Sequence, residues 1–257
     1  MGVAATTASV LRRGAMLVVD ALLPPLCLGC HAVVDMPGTL CAPCWAKIVW
    51  LAPPLCVCCG LPFEFDPGVG APDDLRCAAC LRDPPAFARA RAVFRYDEAS
   101  RNLILAFKHA DRTHAAPAFG QWLTRAGGEL LESADIVAPV PLHWLRLAWR
   151  RYNQAALIAH AAARAAGRRC APDLLVRRRR TPSQGELGHA ERHRNVRRAF
   201  AVNPRHIAAV AGARILLVDD VFTTGATVEE CARTLMGSGA AAVDVLTLAR
   251  VVRPVAG

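Results

Sequence analysis

Eight cysteines near the amino-terminal end form four pairs, and in each pair two residues separate the thiols. The pairs are Cys27 with Cys30, Cys41 with Cys44, Cys56 with Cys59, and Cys77 with Cys80. A two-residue gap lets both thiolates of a tight turn face one point, and two such turns complete a tetrahedral four-cysteine zinc shell. The pairs therefore predict one or two structural zinc ions, with these eight cysteines as ligands.

The way in which the four turns combine stays open, because the spacers fit both consecutive pairing and a cross-braced arrangement. An iron–sulfur cluster also uses cysteines, although the regular two-residue gaps favour zinc. A complete shell of four thiolates leaves no open position for a substrate, so we expect these metals to be structural rather than catalytic. Cys58, Cys170 and Cys231 are not expected to bind a metal ion.

A second segment with candidate ligand-binding residues covers residues 214–227, and its sequence is RILLVDDVFTTGAT. Its apolar run predicts a buried strand that delivers Asp219 and Asp220 at its carboxyl end, followed by a small-residue loop and a helix. Loop amides and the positive end of the helix can hold a phosphate, and the amides concerned are those of Thr224, Gly225, Ala226 and Thr227. The acid pair is placed to accept hydrogen bonds from ribose hydroxyls, directly or around a magnesium ion.

The elements that must position these residues are predicted from short apolar runs that alternate with longer helical stretches. From about residue 91 onward this alternation indicates a parallel sheet covered by helices. Strands are predicted over 92–96, 136–140, 215–218 and 242–249, and helices over 102–110, 116–131, 154–166 and 227–237. We therefore predict a doubly wound α/β domain behind a small cysteine-rich module.

Charge and composition limit the partners and the compartment. The chain has 257 residues and a formal net charge of +10, and arginine supplies most of the positive charge because only Lys47 and Lys108 are lysines. This balance favours polyanions, either nucleic acid or polyphosphate esters. The apolar stretch 14–23 is interrupted by Asp20, is too short to span a bilayer and lacks an export cleavage site. We therefore expect a cytoplasmic protein with reduced cysteines and no membrane span.

The strand, acid pair, threonine–glycine loop and helix, in this order, resemble the signature of type I phosphoribosyltransferases. The resemblance narrows to the ComF family of late-competence proteins, in which a double zinc ribbon precedes a phosphoribosyltransferase domain. The matching segments are 23–30 (LPPLCLGC), the region of Tyr96 and Lys108, 140–143 (VPLH) and 150–154 (RRYNQ). Arg151 stands where family members usually have glycine.

This resemblance implies a domain organisation. An N-terminal helical segment is expected over residues 1–24, a double zinc ribbon over 25–84 and the phosphoribosyltransferase-like domain over 90–252. The fold implied for the last is a type I phosphoribosyltransferase-like parallel sheet with helices on both faces.

The resemblance also implies ligands and partners. The ligands are phosphoribosyl diphosphate and magnesium, with Asp219 and Asp220 as the catalytic acids. The implied ligand-binding residues are Lys108, Leu142, His143, Arg150, Val221, Thr223, Thr224, Gly225, Ala226 and Thr227. Membership further implies a role in DNA uptake and natural transformation, with single-stranded DNA and competence proteins as partners. A phosphoribosyltransferase activity is expected as a class, because the acceptor has no readable signature.

Two other interpretations stay open. The arginine-rich segment 177–198 is similar in position to the hood that closes over the ligand in related enzymes, but a basic groove can instead hold a nucleic-acid strand. The alternative to an enzyme is therefore a single-stranded DNA-binding protein, or a scaffold with a non-catalytic transferase fold. The intact acid pair and loop favour ligand binding.

Overall fold

The computed structural model of the chain describes residues 24–64, 74–109, 113–142, 152–179 and 194–252. The chain divides into two compact units, Met1–Lys47 and Ile48–Gly257. In the smaller unit, helix α1 (Ala42–Lys47) follows a turn closed by an antiparallel bridge between Leu26 and Val33. The module boundaries given above, 25–84 and 90–252, stay predictions, and residues 1–23 of the helical segment expected over 1–24 lie outside the described residues.

A five-stranded sheet, parallel throughout, forms the centre of the larger unit. Its strands are β1 (Arg89–Arg95), β2 (Ile136–Pro139), β3 (Arg169–Cys170), β6 (Arg214–Phe222) and β7 (Ala242–Arg250), in the order β1-β7-β6-β2-β3. A separate antiparallel hairpin pairs β4 (Leu175–Arg177) with β5 (Phe200–Val202). Strands buried on both faces read as continuous apolar runs, which explains the sequence of β6 and β7.

Helices cover both faces of the sheet, so the predicted fold class is confirmed. The helices of the larger unit are α2 (Ala78–Arg82), α3 (Glu98–His109), α4 (Ala116–Ala126), α5 (Gly128–Ser133), α6 (Gln154–Ala165), α7 (Ile207–Val210) and α8 (Ala226–Met236). Ile215 and Leu217 of β6 belong to the same buried cluster as Cys231 and Leu235 of α8. Alternate strand residues face opposite sides, so Leu216 faces the side on which α6 contacts β6.

One predicted helix, 116–131, is wrong as a single element, because the structure has α4 and α5 in its place. The break is at Gly127, whose φ of −132° and ψ of 32° are not helical. A side chain at this position would place its Cβ 2.5 Å from Leu246 Cδ1, so any residue larger than glycine would require Leu246 to move. The strands β3, β4 and β5 were not predicted, because two or three residues carry too little periodicity.

Residues 49–51 run along the outer edge of β1. The amide of Arg95 donates to Val49 O at 2.8 Å, and the amide of Leu51 donates to Val93 O at 3.0 Å. Between them, Trp50 forms an antiparallel bridge with Phe94, and their rings meet edge to face at 5.9 Å. These bonds occupy backbone groups of β1 that would otherwise lie open at the side of the sheet.

None of the helices in the described ranges combines the length and the apolar character that crossing a bilayer requires.

Candidate functional site

A cleft of about 280 Å³ opens at the carboxyl ends of β2 and β6 in the larger unit. This is the edge at which open parallel sheets bind ligands. The sequence-predicted residues that line it are Lys108, Leu142, Asp219, Asp220, Val221, Thr223, Gly225, Ala226 and Thr227. Thr224 belongs to the same turn but does not line the cleft, and the predicted His143 and Arg150 lie outside the described residues.

The acid pair lies within β6, three and two residues before its last residue, Phe222. The amide of Asp220 donates to Asp219 Oδ1 at 2.9 Å, and Lys108 Nζ lies 2.5 Å from Asp220 Oδ2. Burial, with the charge of Asp220 added, raises the pKa of Asp219 to about 7, although Lys108 and Arg177 act in the opposite direction. Asp219 therefore retains a proton more readily than an ordinary carboxyl, and a cation bound beside it would displace that proton.

We call residues 221–227 the ligand loop; it includes the last two residues of β6, the turn after them and the first two residues of α8. Gly225 precedes the helix with φ of +80°, in the left-handed region that favours glycine. A Cβ at this position would lie 2.8 Å from Phe222 Cζ, so the turn closes tightly over the ring. The amides at the start of α8, of which that of Ala226 donates to Thr224 Oγ1 at 3.4 Å, and the helix dipole give this end of the cleft a positive potential suited to a phosphate.

Two residues of the 150–154 motif hold the far wall of the cleft in place. Asn153 Oδ1 accepts a hydrogen bond from the amide of Ala155 at 3.1 Å, and its Nδ2 donates to Val140 O at 3.1 Å. Gln154 is buried and its Nε2 donates to Lys108 O at 3.2 Å. These bonds tie the end of β2 and the end of α3 to α6, which fixes the backbone that carries Lys108. The sequence motif included Asn153 and Gln154, but their hydrogen bonds to distant carbonyl groups could not be predicted, because such bonds leave no local pattern in the sequence.

Arg177 also lines the cleft, although the sequence placed it only at the head of the arginine-rich segment. It is the last residue of β4, and its guanidinium lies over the ring of Phe200 at 5.3 Å from the centroid. Because β4 has only three residues, its hydrophobic periodicity was too short to show that Arg177 belongs to a strand and the arginines after it do not. Residues 180–193 of that segment lie outside the described residues.

In the smaller unit, the first cysteine cluster consists of Cys27, Cys30, Cys41 and Cys44, whose sulfur atoms lie within 4.8 Å of one another. Cys30 Sγ and Cys41 Sγ are 3.5 Å apart, and the amide of Cys41 donates to Cys27 Sγ at 3.2 Å. Burial raises the pKa of Cys27, but hydrogen bonds from backbone amides outweigh this and lower it to about 6. Cys27 is thus readily a thiolate, the form that binds zinc, whereas burial and the neighbouring cysteines raise the pKa of Cys44 to about 12.

In the larger unit, the second cysteine cluster consists of Cys56, Cys59, Cys77 and Cys80, and all four residues are buried. Cys59 Sγ and Cys77 Sγ are 3.6 Å apart, and a hydrogen bond from Cys59 with further bonds from backbone amides lowers the pKa of Cys56 to about 4. Consecutive turns therefore combine, rather than cross-braced ones. Both clusters are tetra-cysteine sites consistent with structural zinc.

Direct hydrogen bonds join the second cysteine cluster to the sheet. The amide of Ala90 donates to Cys58 O at 2.6 Å, and Arg250 Nη1 donates to Cys59 O at 2.6 Å. Gly60, with φ of +68°, follows the third turn, and a Cβ there would lie 2.4 Å from Ala90 O. The third turn is therefore packed backbone against backbone on β1, and the side chain of Arg250 joins it to β7.

Solved structures that match part of the chain include two enzymes. The first is the allosteric regulatory enzyme of purine biosynthesis, at 23% identity and a TM-score of 0.34, over 57% of this chain and 26% of that one. The second is orotate phosphoribosyltransferase from Aeropyrum pernix, at 17% identity and a TM-score of 0.31, over 62% of this chain and 80% of that one. Likenesses this low carry no conclusion about ligand or reaction.

Residues 18–82 match the family model described as a double zinc ribbon domain. The chain is 34% identical over 239 residues to DNA utilization protein YhgH of Salmonella typhimurium, covering 89% of this chain and 98% of that protein. It is 28% identical over 233 residues to competence protein F of Haemophilus influenzae, covering 87% and 96% of the two. This similarity along nearly the whole length shows that the chain belongs to the ComF family, with YhgH and competence protein F.

Proposed function

We propose that this chain binds phosphoribosyl diphosphate and magnesium in the cleft, as a phosphoribosyltransferase-type protein that serves DNA uptake in the cytoplasm. The observation that carries the proposal is the convergence of the acid pair, the ligand loop and two cations, Lys108 and Arg177, in one cleft. The relatives' names, DNA utilization protein and competence protein, support the biological setting. The two cysteine clusters are proposed to hold one zinc ion each.

Each part of the cleft suits one part of the ligand. The amides at Gly225, Ala226 and Thr227 suit the 5-phosphate, because they lie at the positive end of α8. Asp219 and Asp220 suit the two ribose hydroxyls and are the residues that would hold magnesium, which when bound supplies positive charge to the departing pyrophosphate. Lys108 lies 2.5 Å from Asp220 and can transfer its ion pair to a pyrophosphate oxygen.

Departure of pyrophosphate from the ribose develops positive charge on the sugar and negative charge on the leaving group. The acid pair stabilises the first, and Lys108 and Arg177, which line the same cleft, stabilise the second. The geometry thus supports the phosphoribosyltransferase class of reaction, while the acceptor is left unassigned.

The direct test is calorimetric titration with phosphoribosyl diphosphate, with and without magnesium. We expect magnesium-dependent binding that weakens by at least about 100-fold when Asp219→Asn and Asp220→Asn are combined, because hydrogen bonds to charged groups contribute about 1.5–3 kcal/mol each. The control is Asp173→Asn, which removes an exposed carboxylate 2.8 Å from His206 that does not line the cleft. Equal affinity in the double variant and the wild type would contradict the proposal.

A second candidate function rests on exposed arginines beside the β4–β5 hairpin. They are Arg178, Arg179, Arg194, Arg197 and Arg198, and such a group can follow the phosphates of single-stranded DNA. The only aromatic side chain among residues 175–179 and 194–202 is Phe200, which is buried, so these residues offer no ring for base stacking. DNA binding that survives in the Asp219→Asn, Asp220→Asn variant would assign it to these arginines rather than to the cleft.

Binding in the cleft is expected to strengthen as pH rises. The raised pKa of Asp219, about 7, means that the carboxyl is protonated at lower pH, whereas a bound cation and ribose hydroxyls require its charged form. Affinity should therefore rise by about tenfold from about pH 6 to about pH 8. Calorimetry across this range checks it, and the single variant Asp219→Asn should retain only the dependence contributed by the ligand's own phosphates. The same pH profile in both proteins would contradict the assignment.

A further inference from the structure

We propose that Arg250 positions the ligand loop by linking it to the second cysteine cluster, so that order in the loop depends on an intact cluster. Arg250 is the last residue of β7 and is paired in register with Phe222, the last residue of β6. It does not line the cleft. Any effect of Arg250 on the ligand therefore passes through other residues.

The first contact joins Arg250 to Cys59. Nη1 donates to Cys59 O at 2.6 Å, and Nη2 of the same guanidinium lies 3.4 Å from Cys59 Sγ. Arg250 is only 8% exposed, so both bonds form away from water. A hydrogen bond to a metal-binding sulfur fixes the orientation of that ligand. When the four thiols close around one ion, the atoms that hold the guanidinium are fixed as well.

The second contact joins Arg250 to Phe222. The guanidinium lies over the ring at 4.5 Å from its centroid, a cation–π geometry that is strongest when it is desolvated. Phe87 packs its ring edge to face against the same phenyl group at 6.0 Å, and the amide of Val251 donates to Phe222 O at 2.9 Å. Phe222 is thus held on its ring and on its backbone.

The third contact joins Phe222 to the turn of the ligand loop. The ring occupies the space that a side chain at position 225 would need, with Cζ only 2.8 Å from an added Cβ. Gly225, in its left-handed conformation, therefore lies directly on the ring. Cys59, Arg250, Phe222 and Gly225 form one continuous series of contacts from the second cysteine cluster to the proposed phosphate site.

The chemistry of this series requires arginine. A planar guanidinium can donate to a carbonyl and a sulfur from one edge while its face stacks on a ring, whereas a lysine ammonium cannot do both. The third nitrogen of the guanidinium, Arg250 Nε, is buried and has no hydrogen-bond partner within the described part of the chain. This costs stability and is unexpected for an arginine that only stabilises the fold.

The test is Arg250→Lys, with hydrogen exchange of peptides covering residues 222–228 measured by mass spectrometry. We expect both zinc ions to be retained, loop amides to exchange about tenfold faster, and affinity for phosphoribosyl diphosphate with magnesium to fall about tenfold. The matched control is Arg89→Lys, which alters another arginine contact of β7, the ion pair at 2.7 Å between the partly exposed Arg89 of β1 and the buried Asp244. It lies at the opposite end of the strand and should leave exchange of the loop unchanged.

A second variant keeps the inference testable if Arg250→Lys fails to fold. Phe222→Leu removes the ring but leaves the bonds of Arg250 to Cys59, and it should also speed exchange of the loop. Combining both substitutions should add little to either one, because they interrupt the same series of contacts.

Each outcome has a distinct meaning. Unchanged loop exchange in Arg250→Lys with zinc retained would overturn the inference, as would an equal rise in Arg89→Lys. The affinity measurement rests on the proposed function, but hydrogen exchange needs no ligand. Failure of the wild type to bind phosphoribosyl diphosphate would therefore count against the proposed function and leave the exchange result to decide this one.

Discussion

Replacing Cys56 and Cys77 with serine is expected to unfold the larger unit, whereas replacing Cys30 and Cys41 is expected to leave it folded. The second cysteine cluster belongs to the same buried core as β6, β7 and α8. Structural zinc contributes about 10–16 kcal/mol in small finger peptides, which matches or exceeds the total stability of a typical domain, about 5–15 kcal/mol. Losing it from the core should therefore abolish the native state.

The first cysteine cluster provides the matched control. Cys30 is exposed, Cys41 and Cys44 are partly exposed, and the cluster lies in the smaller unit. Its loss should disorder that unit alone. The measurements are zinc content by mass spectrometry and thermal unfolding by circular dichroism. We expect two zinc ions in the wild type, one in the Cys30, Cys41 variant with its main transition preserved, and no cooperative transition in the Cys56, Cys77 variant. Equal melting of the two variants would contradict this.

Gly225→Ala is expected to weaken binding of phosphoribosyl diphosphate by about 100-fold while the protein stays folded. At φ of +80°, alanine suffers about 1–2 kcal/mol of backbone strain, and its methyl group would also lie 2.8 Å from Phe222 Cζ. The loop must shift to relieve that collision, and a shift that loses one amide bond to the phosphate costs about 1.5–3 kcal/mol, up to about 100-fold in affinity. Calorimetry with magnesium present measures the loss.

Gly212→Ala separates the strain from the collision. Gly212 has a similar φ of +73°, but a Cβ there would meet nothing within 4 Å. This variant should lower the melting temperature by several degrees, about as far as the strain alone does in Gly225→Ala, without changing affinity. A similar loss of affinity in both variants would show that general destabilisation, rather than the shape of the ligand loop, explains the result.

The parts of the site that were predictable from sequence are those built by neighbouring residues. The four cysteine pairs and the strand, acid pair, loop and helix around Asp219 each form a local pattern with a fixed spacing. The strands β6 and β7 were predictable because burial on both faces leaves an apolar run. Their predicted ends differ from the structure by a few residues, since periodicity fades where a strand meets its loop.

The parts that were not predictable depend on residues far apart in the chain. Cys59 and Arg250 are 191 positions apart, and no spacing rule relates a zinc-binding turn to the last residue of a strand. For the same reason, the hydrogen bond from Gln154 to the carbonyl of Lys108 could not be predicted from the sequence. The split of helix 116–131 was missed because a single glycine is tolerated in a helical pattern, and only contact with the sheet decides whether it breaks the helix.

The pairing of residues 49–51 with β1 limits how copies of this protein can associate. An open edge strand invites pairing with a strand from another molecule, which is a common route to aggregation. Here Val49 and Leu51 already bond to one side of β1, and the strand at the other edge, β3, has only two residues. Within the described part of the chain, the five-stranded sheet thus offers little backbone for strand addition, and we expect association through this sheet to use its side-chain surfaces.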